Sequence, residues 1–235
     1  MEDVTRRFKN LLEQTLIPDF RSNKARDMNP LGFRPSPTHL SETDMADFLR
    51  GWDAQLFRHI GKGLYRAPRS NASEQFFWSG RKANTPRTFT IWIEPIITLA
   101  VLARMHLDFK WPKTLLGTQS KPAWAFDVLA YRSEFESDRG LFIACEVKKC
   151  REDVDDLIRY MQLFGRQPAL SSEHLKRAQK NAFMKVKGLR DDNPYIFWAV
   201  GPSRHEKVFL VQYSESGVVE FEPTSFQALI RKGDF

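Results

Sequence analysis

Ala125-Phe126-Asp127-Val128-Leu129-Ala130-Tyr131 and Leu141-Phe142-Ile143-Ala144-Cys145-Glu146-Val147-Lys148-Lys149 are two apolar runs, each carrying charge where a buried strand should have none. An unpaired buried carboxylate is expensive, so these acids must either lie at strand ends near water or share a cation. The charged stretch 133–140 between them reads as a turn. Antiparallel strands joined there pair residues whose numbers sum to about 273, which sets Asp127 opposite Glu146. Side chains two apart on a strand share a face, so Glu146 and Lys148 project together while Val147 turns into the core. A structural salt bridge guarding a sheet edge is the plainer alternative, although edge protection calls for lysine more than for clustered carboxylates.

Two carboxylates and one ammonium on one patch match what phosphodiester hydrolysis requires. Oxygen ligands of this kind suit a hard cation such as magnesium, which accepts few protein carboxylates and keeps several waters. The cation neutralises the scissile phosphate, and a nearby ammonium orients the attacking water and stabilises the transition state.

Asp127, an 18-residue gap, then Glu146-Val147-Lys148 on a strand resembles the two halves of the PD-(D/E)xK nuclease signature. Phe126 stands where that signature has proline, a departure the family shows often. The resemblance covers about half the chain, because residues 88–200 can be read as the family's helix, three strands, helix and further strand. It implies an α/β fold with a central mixed sheet flanked by helices, a restriction-endonuclease-like core. It also implies a magnesium-dependent nuclease, with manganese able to substitute, in which Asp127, Glu146 and the carbonyl of Val147 hold one or two ions and Lys148 positions water. The family's first helix commonly adds an acid, and Glu94 is the only one within 91–105. Glu94 precedes Pro95, so it serves equally well as an ordinary acid at a helix start. The family often has a polar residue on the helix after the catalytic strand. Gln162 lies there, and an exposed helix position is its plainer reading.

Outward from this centre, 88–107 is apolar on nearly every side and reads as a buried helix. A short strand is expected at 114–118, helices at 154–161 and 172–187, strands at 195–200 and 208–213, and a short helix at 226–230. Before residue 88 the pattern predicts a helical extension: one amphipathic helix over 4–17 ended by Pro18, and a second over 42–60 opened by Ser41 and closed by Gly61-Lys62-Gly63. The intervening 23–37 and the basic 66–87 read as loops. The chain thus divides into an extension, 1–87, and a nuclease-like domain, 88–235.

A net charge of +7 and a pI near 9.5 attract polyanions. The expected partner is DNA, contacted by Lys149, Lys176, Arg177, Lys180, Lys185, Lys187, Arg81, Lys82 and Arg87, with Arg66 and Arg69 nearby; a solvated helix face is the plainer reading of the 176–187 run. Two cysteines exclude a disulfide scaffold, and scattered histidines offer no zinc spacing. No apolar run is long enough to span a membrane and no secretory h-region follows the N-terminus, so a cytoplasmic setting is expected. Paired active sites in double-strand cutters allow a homodimer, and analogy points to phage defence, restriction or mobile-element biology. A non-cleaving nucleic-acid-binding or assembly protein and a ribonuclease are the competing classes.

Overall fold

The computed structural model describes residues 3–34, 40–70, 72–81, 83, 86–119, 126–134, 140–168 and 171–231. Among them the chain is a mixed α/β structure organised on a six-stranded sheet. Its strands are β7 (Leu116–Thr118), β8 (Val128–Tyr131), β9 (Leu141–Val147), β10 (Ile196–Gly201), β11 (His205–Tyr213) and β12 (Val219–Thr224). They lie side by side in the order β12-β11-β10-β9-β8-β7, and only β9 and β10 run parallel. The crossover between those two carries α5 (Arg151–Gly165) and α6 (Arg177–Asp192), as a parallel connection requires.

Helices cover both faces, which is why the central strands β9 and β10 are apolar apart from the buried Glu146. Ile143, Cys145 and Val147 of β9 join the core beneath α4 (Ile93–Leu107), whereas Ala144 joins the core beneath α5 and α6. By strand alternation Glu146 belongs to the α5–α6 face and Val147, 2% exposed, to the α4 face. Cys145 is wholly buried, and burial drives its thiol well above the usual range, which is the behaviour of a small hydrophobe. No helix of the described residues is long and apolar enough to cross a membrane.

The first 87 residues are more than helices. Segments α1 (Val4–Leu11) and α2 (Ile17–Arg21) are joined by a π-helical turn, Leu12–Leu16. Pro18, expected to end the helix, sits in the first turn of α2, where its missing N–H costs little, and the widened turn before it absorbs the mismatch. The 23–37 stretch, read as a loop, contains β1 (Met28–Arg34). Helix α3 (Glu42–Asp53) stops short of residue 60 because Gln55 turns left-handed, with φ 50°. Beyond it lies a hairpin of β2 (Arg58–Gly61) and β3 (Leu64–Arg66), whose loop residues Lys62 and Gly63 both have positive φ, so Gly61-Lys62-Gly63 forms a hairpin turn and not a helix cap. The basic 66–87 segment also holds β4 (Glu74–Gln75) and β5 (Phe77–Ser79).

A further strand, β6 (Arg87–Ile91), occupies what was read as the start of the buried helix. Two three-stranded sheets result, β2-β3-β4 and β1-β6-β5. Phe8, Leu16, Phe20 and Phe48 share one continuous core with Ile96, Leu99 and Met105 of α4 and with Val128 and Ile143 of the large sheet. Asp44 of α3 accepts the Ser203 N–H at 3.0 and 3.2 Å, and Asp47 pairs with Arg204 at 2.9 and 3.0 Å. The N-terminal segment is thus built into the same core.

Residues 69 and 70 cover the edge of β7: the Arg69 N–H donates to the Leu116 carbonyl at 3.1 Å, and Ser70 Oγ accepts the Thr118 N–H at 3.1 Å. Gly117 permits this approach, because a Cβ there would lie 2.3 Å from the Arg69 carbonyl oxygen. Gly117→Ala is expected to destabilise the protein by about 2–3 kcal/mol, the usual cost of forcing extra atoms into packed backbone. Urea denaturation of the variant checks this, and an unchanged midpoint would contradict it.

Candidate functional site

The register read from sequence is found over three pairs, Val128 with Cys145, Leu129 with Ala144 and Ala130 with Ile143, and it shifts by one at Tyr131, which pairs with Leu141. Asp127, one residue before β8, continues the ladder by donating its N–H to the Cys145 carbonyl at 3.0 Å and accepting the Gln119 N–H at 3.1 Å. Its carboxylate Oδ2 accepts the Val147 N–H at 2.8 Å, which holds the side chain across the end of β9. Of the expected metal-holding groups, Val147 therefore has its amide directed at Asp127 and its side chain in the core. Behind the site, Gln119 Nε2 donates to the buried Glu74 Oε1 at 3.4 Å.

Glu146 is 2% exposed and lies between two ammonium groups. Lys148 Nζ is 2.5 Å from Oε1, and Lys185 Nζ, arriving from α6, is 2.6 Å from Oε2. Lys185 also stands 5.6 Å from the centre of the Phe126 ring. Among the described basic residues expected to contact phosphate, Lys185 is the one that is buried, and it belongs to the carboxylate cluster. Sequence reasoning missed this, although Ala182, Val186 and Leu189 mark the buried stripe of α6 on which position 185 falls.

The charges set one another. Burial, and then the charge of Glu146, push the Asp127 carboxyl up to about 7 against the opposing pull of Lys185, Lys148 and the Val147 N–H. Burial acts to raise Glu146 as well, but Lys185 and Lys148 outweigh it and hold this carboxyl below its ordinary value. Lys148 is raised despite its burial, by Glu146, Asp127 and, more weakly, Glu94. Glu94 thus lies within electrostatic reach of the site from the first turn of α4. Among the described residues, however, no group of three or more His, Cys, Asp or Glu side chains gathers as a ready metal nest, so Glu94 is not drawn into one with Asp127 and Glu146.

The donor set nonetheless suits a hard divalent cation. Burial first, and the charge of Glu146 second, drive Asp127 towards its neutral form, and an added positive charge would offset both. The direction of the shift is open to test. A carboxyl whose folded-state pKa is raised to about 7, against about 4 when unfolded, contributes stability present below the lower value and lost as pH rises through the higher one. Asp127→Asn is therefore expected to stabilise the metal-free protein at pH 8 by on the order of 2 kcal/mol, with the advantage fading towards pH 4. Thermal melts of both proteins across that range check this, and parallel curves would contradict it.

The remaining basic residues divide. Lys149, Lys176, Arg177, Lys180, Lys187 and Arg81 are exposed. Arg87 is engaged structurally, donating from Nη2 to the Gly80 carbonyl at 2.7 Å and to Ser79 Oγ at 2.8 Å, so it fastens the β5–β6 connection. Arg69 donates to the Ser133 carbonyl at 3.0 Å and lies over the Tyr131 ring. Lys82 lies outside the described residues. Gln162, half-buried, lines a surface groove with Gln212 and Phe221 and not the carboxylate site. Comparison of the chain with protein-family models, with curated proteins and with solved structures found no match.

Proposed function

We propose that the protein is a magnesium-dependent nuclease that hydrolyses phosphodiester bonds in DNA, built on a restriction-endonuclease-like core. The observation that carries this reading is the cluster of Asp127, Glu146 and Lys148 at one end of the β8–β9 pair, on the arrangement expected from the Asp and Glu-x-Lys halves.

In this reading Asp127 and Glu146 hold the cation, and manganese substitutes for magnesium. When bound, the ion supplies charge neutralisation at the scissile phosphate and acidity to water. Lys148 is the more solvent-facing of the two amines, with 14% of its side chain exposed against 7% for Lys185. It is the one placed to orient the attacking water and to meet charge that develops on the phosphate. The Val147 N–H fixes Asp127, so that its second oxygen is aimed by the backbone and not by a mobile side chain. The exposed lysines and arginines of α6, with Lys149 and Arg81, bind backbone phosphates without reading sequence. By analogy with the family this activity belongs to phage defence, restriction or mobile-element biology, with a homodimer or a defence-complex partner.

Incubation of the purified protein with circular and linear DNA, and with RNA of matched length, is the test. Cleavage of DNA that needs magnesium and stops with chelator is the expected result. Preferential cleavage of RNA would make it a ribonuclease, and tight DNA binding without cleavage under any divalent ion would make it a non-cleaving binding protein.

A further inference from the structure

The proposed metal site contains a cation of its own. Lys185 is 5% exposed and rises from the middle of α6, on the stripe that Ala182, Val186 and Leu189 bury against the sheet. Its Nζ lies 2.6 Å from Glu146 Oε2 and 5.6 Å from the Phe126 ring centre, so its charge sits between a carboxylate and an aromatic face. Lys148 reaches the other oxygen of the same carboxylate at 2.5 Å from a more exposed position one strand repeat away.

The two amines differ in what can displace them. An incoming divalent ion needs an oxygen of Glu146 beside Asp127. Lys148 stands nearer solvent and can turn towards water or phosphate, leaving Oε1 to the ion. Lys185 is packed in the interior, where its charge acts on Asp127 as well as on Glu146, and moving it off Oε2 would separate a buried ammonium from a buried carboxylate 2.6 Å away. A second divalent ion sharing Glu146 would have to occupy that same place, against the field of a fixed positive charge.

We infer that Lys185 is a permanent counter-ion in the place of a second metal, so that the site takes one divalent cation and not two. This rests on the proposed nuclease reading, which leaves the number of ions open. Lys185 is thus a positioning residue: it fixes the orientation of Glu146 and limits the charge admitted to the site, without touching substrate.

The test is manganese binding by the metal-free protein in the absence of nucleic acid, followed by electron paramagnetic resonance of the free ion and by calorimetry. The parent protein should bind one Mn2+ at this site. Lys185→Met, which keeps the length and apolar body of the side chain but removes its charge, should bind a second ion; Lys185→Arg should remain at one. Circular dichroism confirms folding, and Lys185→Gln replaces the methionine variant if that variant does not fold. A parent protein that binds two ions here, or a neutral variant that still binds one, would overturn the inference and leave the nuclease reading intact. A parent and variants that bind no manganese would overturn the metal-dependent reading itself, and this inference with it.

Discussion

Lys148→Ala is expected to lower magnesium-dependent DNA cleavage by about a hundred- to a thousandfold while leaving divalent-ion binding in place, the size of loss seen when one preorganised donor to a developing charge is removed. The variant should fold, because Lys148 is not part of the apolar core and Glu146 keeps its second partner, Lys185, at 2.6 Å. With one ammonium gone Glu146 becomes more available to a cation, so binding should hold or tighten. Single-turnover rates and manganese titration on the same preparations separate the two effects. Cleavage at the parental rate would remove Lys148 from the chemistry. A joint loss of binding and folding would make it a structural residue, half of a buried ion pair and nothing more.

Glu206→Ala is expected to cost about 3–5 kcal/mol of stability, the penalty for leaving one member of a buried pair uncompensated. Arg104 of α4 donates through Nη1 and Nη2 to the two oxygens of Glu206 on β11 at 2.7 and 2.8 Å, and both side chains are almost wholly buried. Trp198 Nε1 adds a third hydrogen bond at 3.1 Å. This pair ties α4, whose first turn carries Glu94, to the sheet that carries Glu146. Urea denaturation gives the loss directly, and the double variant Arg104→Met with Glu206→Gln should regain much of it, because no buried charge is then left alone. A loss below about 1 kcal/mol for Glu206→Ala would show that solvent screens the pair.

The centre of the fold was legible because two rules converge there. Alternation and a short connection in sequence point to the pairing of 128–130 with 143–145, because a slip of one residue would turn every apolar side chain to the other face; the register shifts only at Tyr131. The long helices announced themselves by their period, as at Val154, Leu157, Ile158 and Met161 of α5. The short strands did not. Met28–Arg34 contains Pro30 and Gly32 and pairs with Arg87–Ile91, a partner far along the chain, so nothing local marks it as a strand. β12 alternates Val219, Glu220, Phe221 and Glu222, but its apolar positions are few and its strand character comes from β11 beside it.

The site was half legible for a related reason. Glu146 lies on β9, and Asp127 and Lys148 lie one residue beyond the ends of β8 and β9, where register predicts proximity. Lys185 comes from a helix that packs across the sheet, and helix-to-sheet contacts have no such arithmetic. Its dense basic neighbourhood suggested a solvated face or a phosphate contact, whereas the apolar stripe of α6 carries it inward. Charge counts alone cannot distinguish those outcomes; the phase of the helix can.

The functional reading stands on Asp127 and Glu146 clasping one divalent ion together. Crystals soaked in manganese and measured at the metal's absorption edge test it most directly. One anomalous peak is expected, within about 2.0–2.3 Å of a carboxylate oxygen of each residue, with Lys185 still against Glu146. Well-ordered crystals that show no peak there at saturating manganese, or a peak bound by other side chains, would contradict it.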